Sequence, residues 1–279
     1  MDQRNKITYR KLPGLSAQGL RIWGLLFLAF GMVLNPTIKQ TLASDEVDFI
    51  FTSVGLILQL IHYCAIPIFA FLLVEGFTHT ADLKNYAIRI GILALIVELP
   101  YNLAMHGKLL GTFTWPNLLT IKLNPVFGML LALILLYFFK KYSEKSLKNF
   151  AIKAMLWLMA FVWTQMLHIE YGIAVILLVP IMYFLRKKKM VLIFAGCVAM
   201  TLCGFLEGML QSSWLMNIAT TEASLNPTAI AAYVASAPVA FIMIHFYNGE
   251  PGEGNRYVNY LAYPVILLAI GLLAKFAIQ

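Results

Sequence analysis

Ile66–Thr80 reads IPIFAFLLVEGFTHT, nine uncharged residues followed by a glutamate and, four positions later, a histidine. At 3.6 residues per turn, Glu75 and His79 fall on one helix face. The apolar run behind them begins near residue 49, so the pair closes a segment long enough to cross a hydrocarbon layer. Ionisable groups at a bilayer boundary are costly unless they face the protein interior or water, which makes both candidates for function.

The rest of the chain is of the same kind. With 61% hydrophobic residues, 12% charged residues and a mean hydropathy of +0.78 over 279 residues, it has too little polar surface for a soluble domain. Apolar runs fall at roughly 20–37, 49–74, 86–105, 124–139, 150–167, 171–185, 190–206, 228–246 and 257–277. They predict an all-α, polytopic transmembrane bundle of about nine spans, with eight or ten open. The run at 171–185 is short enough for a tilted or re-entrant segment. A transmembrane β-barrel is excluded because the runs are continuously apolar rather than alternating. Without repeats or long linkers, residues 1–279 read as one integral membrane domain. The polar first nineteen residues form a cytoplasmic segment, and no small-residue cleavage pattern follows the first span, so that helix is expected to stay.

Charge placement gives the orientation. With nine spans and a cytoplasmic N-terminus, seventeen of the 21 lysines and arginines fall inside, leaving Lys39, Lys108, Lys122 and Lys275 outside. Asp45, Glu46, Asp48, Glu170, Glu207 and Glu222 also lie outside. The net charge of +8 is thus a topological signal and an attraction to anionic membrane lipids, and it gives no support for nucleic-acid binding. Cys64, Cys197 and Cys203 lie within apolar runs without metal-ligand spacing and read as small core residues, and no metal site is expected.

Among the polar groups, Arg89 sits one turn inside the third run and Glu98 lies nine residues deeper. Because the second helix returns as the third, Glu75, His79 and Arg89 are expected to meet near the cytoplasmic surface. A carboxylate orients a histidine and makes it more basic, which suits a general base, and an arginine binds a phosphate or carboxylate through two N–H groups. The alternative is a structural Glu75–Arg89 ion pair with His79 solvated. His62 lies thirteen residues before Glu75, at a different depth, and Glu170 with His168 occupies an outer turn. Tyr247 and Asn248 lead into GEPGEGNR, a glycine-containing turn whose amides can approach a phosphate. The absence of GxxxxGK[ST], HExxH and GxSxG argues against P-loop, zincin and serine-hydrolase chemistry.

These residues resemble the TraX family, named for the conjugative-plasmid membrane protein that acetylates the pilin N-terminus. IPIFAFLLVEGFTHT and YAIRIGILALIVELPYNLA (Tyr86–Ala104) are similar to the family's FPIFAFLLVEG-x-x-HT and R-x-x-x-FALISE-x-P blocks. EYG at Glu170–Gly172, YNGEPGEG at Tyr247–Gly254 and the Tyr263-Pro264 pair match in the same order, over roughly Gly14 to Leu273. The resemblance implies Glu75, His79, Arg89, Glu98, Glu170, Tyr247 and Asn248 as site residues. It also implies acetyl-CoA as a donor from the cytoplasm, and a bacterial cytoplasmic (inner) membrane. Two departures stand out: the first-helix Asp-His pair of many relatives falls at Gly31 and Met32, and the histidine of their last helix at Ile266.

The leading expectation is therefore an integral membrane acyltransferase. In it His79, supported by Glu75, or else His62, deprotonates an acceptor in the envelope (a peptide amine, sugar or lipid), while Arg89, Tyr247 and Asn248 hold the donor. A non-catalytic relative that binds a lipid, peptide or partner protein is the alternative, and a secondary transporter is the third reading.

Overall fold

The computed structural model describes residues 14–32, 57–106, 122–211 and 227–277. Most of the polar N-terminal segment and the acidic residues 45, 46 and 48 therefore lie outside the described residues, as do Lys39, Lys108 and Glu222. Nine longer α-helices occur among the described residues: α1 (Ala17–Met32), α2 (Ala65–His79), α3 (Leu83–His106), α4 (Pro125–Lys141), α5 (Leu147–Met166), α6 (Gly172–Leu185), α7 (Lys189–Gln211), α8 (Pro227–His245) and α9 (Arg256–Ala277). No strand occurs among them, only two isolated bridges.

Local chemistry sets several of these boundaries. Ser16 caps α1, its hydroxyl accepting from the Gly19 N–H at 3.1 Å. Asn124 caps α4 by accepting from Val126 N–H at 3.0 Å, with Pro125 at the first helical position, where its missing N–H costs nothing. A helical turn over residues 57–63 leads into α2 through a turn at Cys64. Pro67 explains the break, because it has no N–H to offer the carbonyl of Tyr63 four residues back. The far end of α2 runs past the apolar residues to His79 and stops where Thr80 turns extended (φ −84°, ψ 133°).

The helices surround α2 and α6. α2 packs on α1, α4, α6 and α8, and α6 on α2, α4, α5 and α7. α6 is only fourteen residues long, roughly 21 Å, but nine of them are buried, so the short run at 171–185 is a central packed helix. α3 packs on α4 and α9 rather than on α2, its neighbour in sequence. That separation opens the middle of the bundle.

The core is apolar, and so is much of the outer surface. Ile88, Ile92, Leu95, Ile96 and Leu99 form an exposed stripe along α3, and Leu147, Phe150, Met155, Leu158, Trp163 and Met166 are exposed on α5. Asn124, Thr164 and Ser236 are fully buried, with His62 and Glu98 nearly so. A broad apolar exterior with a few polar groups inside is consistent with a membrane protein. Among the described residues, three helical stretches are long and apolar enough to cross a bilayer: Ile57–His79, Leu83–Met105 and Lys189–Glu207, with mean hydropathies of 2.2, 1.6 and 2.1. Ala17–Met32, Gly172–Leu185, Ile230–His245 and Val258–Leu273 are shorter apolar helices.

Charge is also segregated in space. The Lys140 ammonium lies over the Phe77 ring near the end of α2, and Lys189 donates to the His245 and Tyr247 carbonyls at the end of α8. The connectors carrying Lys140 to Lys148 and Arg186 to Lys189 thus gather at the end of the bundle that holds Glu75 and His79. Glu98 and Glu170 lie towards the other end, where Leu123 pairs with Ile169.

Candidate functional site

A cavity of about 640 Å³ occupies the gap between α2 and α3, walled also by α1, α4, α6 and α9. Its mouth lies at the basic end and carries Gln18, Arg21, Glu75, His79, Arg89, Asn259 and Tyr260. Farther in, Leu25, Phe69, Leu73, Ile90 and Leu93 make an apolar wall, and His62 and Tyr171 line the deep end. His62 and Glu75 differ in depth by roughly 20 Å along the helix, as their spacing predicts, yet one cavity reaches both.

The glutamate–histidine pair forms within the last turn of α2. His79 Nδ1 lies 2.9 Å from the Glu75 carbonyl oxygen and 3.3 Å from Glu75 Oε2. Both oxygens only accept, so Nδ1 carries the proton and donates, which leaves Nε2 as the basic nitrogen. The His79 side chain is 70% exposed and that of Glu75 16%, so the imidazole stands at the rim and the carboxylate in the wall. Tyr247 Oη donates to Glu75 Oε2 at 3.4 Å, and its ring meets Phe71 edge-on at 5.2 Å. Burial, with help from the nearby Glu75 charge, pushes the Tyr247 hydroxyl up to about 12. Its contribution to stability is therefore complete below pH 10 and lost as pH rises towards 12. Tyr247→Phe is expected to flatten that alkaline fall in a pH series of thermal unfolding, whereas an unchanged fall would assign it to another group.

Arg89 forms no ion pair with Glu75. Among the described residues the carboxylate's ionic partner is His79, and Arg89 Nε is buried without a hydrogen-bond partner. The structural Glu75–Arg89 pair is thus corrected: α2 and α3 diverge around the cavity, and the guanidinium is left on its wall. Arg21, one turn into α1, is a second cavity cation. It donates to Gln18 Oε1 at 2.7 Å, and Gln18 exchanges two hydrogen bonds with Asn259, 2.9 and 2.8 Å long, which tie α1 to α9. Read only as a topological charge, Arg21 is missed, although an arginine at the start of an apolar run is a signal of the same kind as Arg89.

The glycine turn closes over the mouth. Leu15 N–H donates to the Phe246 carbonyl and Asn248 N–H to the Leu15 carbonyl, both near 3 Å, so the turn is pinned against the start of α1. Gly252 has φ +75°, and a Cβ there would lie 2.4 Å from Ser16 Oγ. Only glycine fits. Gly249, Gly252 and Gly254 line the cavity, but Asn248 does not. Its Oδ1 accepts from Glu250 N–H at 2.9 Å, which shapes the turn.

Glu98 and Glu170 lie off the cavity wall. Glu98 accepts from Asn124 Nδ2 at 2.6 Å, Asn124 N–H at 3.2 Å and Asn102 Nδ2 at 3.0 Å, fastening α3 to the start of α4. Glu170 accepts from the Tyr101 hydroxyl, tying α3 to the turn before α6. Met32 is nearly buried on the deep wall, while Ile266 packs into the core and is not among the lining residues.

A lipid-compatible helical bundle enclosing an elongated cavity, with two arginines and a histidine–carboxylate pair at its mouth, defines the class of protein. A family model described as "TraX protein" matches residues 41–274, and the chain belongs to that family. The match begins after α1, so Arg21, Gly31 and Met32 lie outside it. No curated protein and no solved structure matches the chain.

Proposed function

We propose that the protein is a multi-pass membrane acyltransferase of the bacterial cytoplasmic membrane, taking an acyl-CoA donor such as acetyl-CoA into the cavity from its basic, cytoplasmic end. The observation that carries this reading is the pairing of Arg21 and Arg89 on one cavity wall, without a carboxylate partner among the described residues. Arg89 is half-buried and its Nε has no hydrogen-bond partner, and a donor phosphate supplies an acceptor for it. A cavity histidine accepts the proton of an envelope amine or alcohol as that group attacks the thioester carbonyl. His79, held by Glu75 with Nε2 open, and His62 are the two bases on the wall.

The alternative, a non-catalytic binder, draws on Met32, which makes the wall beside His62 apolar on the α1 side. The test is thiol release from acetyl-CoA by the full chain in nanodiscs, with a panel of amine and alcohol acceptors. Acceptor-dependent release that His79→Ala with His62→Ala abolishes supports the enzyme. Donor binding with no release from any acceptor supports the binder.

A further inference from the structure

The cavity has a direction built into two helices. On α1, Arg21, Leu25, Leu28 and Met32 line it at helical spacing. On the 57–63 turn and α2 the ladder is His62, then Ile66, Phe69, Leu73, Gly76 and His79. From Arg21 to Met32 the wall advances about 16 Å. Cations stand at one end, aliphatic and aromatic side chains line the middle, and an imidazole stands at the other end. A ligand that fits has an anionic head, a long arm and a polar far end.

The far end has an unmet bond. His62 is 8% exposed, lines the cavity, and its Nδ1 is buried with no hydrogen-bond partner. A buried nitrogen in that condition destabilises the empty cavity and favours a ligand that offers it a partner. Its ring is held in place rather than adrift. Tyr171 packs at 5.6 Å, and α1 comes so close that a Cβ on Gly31 would lie 2.1 Å from His62 Cβ. Glycine at position 31 is what lets His62 occupy this space.

We propose that the donor lies lengthwise in the cavity, with its phosphates at Arg21 and Arg89, its arm along Leu25, Leu28 and Phe69, and its thioester carbonyl at His62. His62 is then the catalytic base, and His79 belongs to the mouth. This assignment rests on the acyl-donor reading above. His62 takes the proton from the acceptor N–H or O–H as that nitrogen or oxygen bonds to the carbonyl carbon. The carbon–sulfur bond breaks, and the departing thiolate takes the proton back from His62.

Binding separates the arm from the head without any chemistry. Coenzyme A carries both, and adenosine 3′,5′-bisphosphate carries a phosphorylated head without the arm. The full chain in nanodiscs is expected to bind coenzyme A at least roughly tenfold more tightly, the gain from burying the arm. Leu28→Trp, which fills the middle of the slot, is expected to bring coenzyme A down to the affinity of the bisphosphate. Equal wild-type affinities would overturn the lengthwise seating while leaving the donor reading standing. Binding of neither would remove both. The wild-type comparison stands even if Leu28→Trp does not fold. For the base, His62→Gln is expected to lower acyl transfer by at least about 100-fold. A His62→Gln protein that transfers at the wild-type rate would overturn the assignment to His62.

Discussion

Arg89→Ala is expected to weaken acetyl-CoA binding by roughly 10- to 100-fold, the range set by losing a charge-assisted hydrogen bond worth about 1.5–3 kcal/mol. The size follows from surroundings. Arg89 Nε is buried without a hydrogen-bond partner, and no carboxylate among the described residues forms an ion pair with the guanidinium, so a bound phosphate meets an open donor. Arg21→Ala is expected to act in the same direction but less, because Arg21 already spends a donor on Gln18. Arg89→Lys is expected to recover part of the loss, since an ammonium restores the charge without the planar fork. Titration calorimetry in nanodiscs measures all three. An Arg89→Ala dissociation constant equal to wild type would mean that the donor head lies elsewhere.

The largest effect on stability is expected at Glu98, away from the cavity. Its carboxylate receives three N–H donors, two of them from the fully buried Asn124. Glu98→Ala leaves those donors without their acceptor in a lipid-facing bundle, at a cost of about 3 kcal/mol. Glu98→Gln keeps one accepting oxygen and is expected to cost less than half as much. The consequence reaches the site through geometry: Asn124 caps α4, and Pro125 and Val126, the next two residues, line the cavity. Denaturant unfolding in detergent is expected to show a lowered midpoint for Glu98→Ala, with donor affinity per folded molecule little changed. A variant of wild-type stability that loses donor binding would instead place Glu98 in the site.

The helices were legible because each apolar run is continuous and bounded by charge or proline. The run at 190–206 corresponds to Lys189–Gln211, and that at 257–277 to Arg256–Ala277. In the second helix the apolar run ends before the helix does, as the Glu75–His79 spacing on one face requires. Hydropathy falls at Glu75, but backbone hydrogen bonding continues through His79, where the side chains pair four residues apart. Glu75 and His79 could be placed together from spacing alone, since both lie on one helix. What joins different helices could not. The Glu98–Asn124 contact links residues 26 apart in sequence, and the cavity exists because α3 leaves α2 for α9. Arg21 was hidden for another reason: a basic residue near a helix start is explained by membrane orientation, and only the wall it lines gives it a second role.

The central claim is that the cavity holds an acyl donor, and its most direct test is the structure of the full chain in nanodiscs with acetyl-CoA, determined by electron cryo-microscopy. Donor density is expected with its phosphates between Arg21 and Arg89 and its arm running towards His62. Donor density outside this cavity, or a cavity filled by lipid at saturating acetyl-CoA, would contradict it.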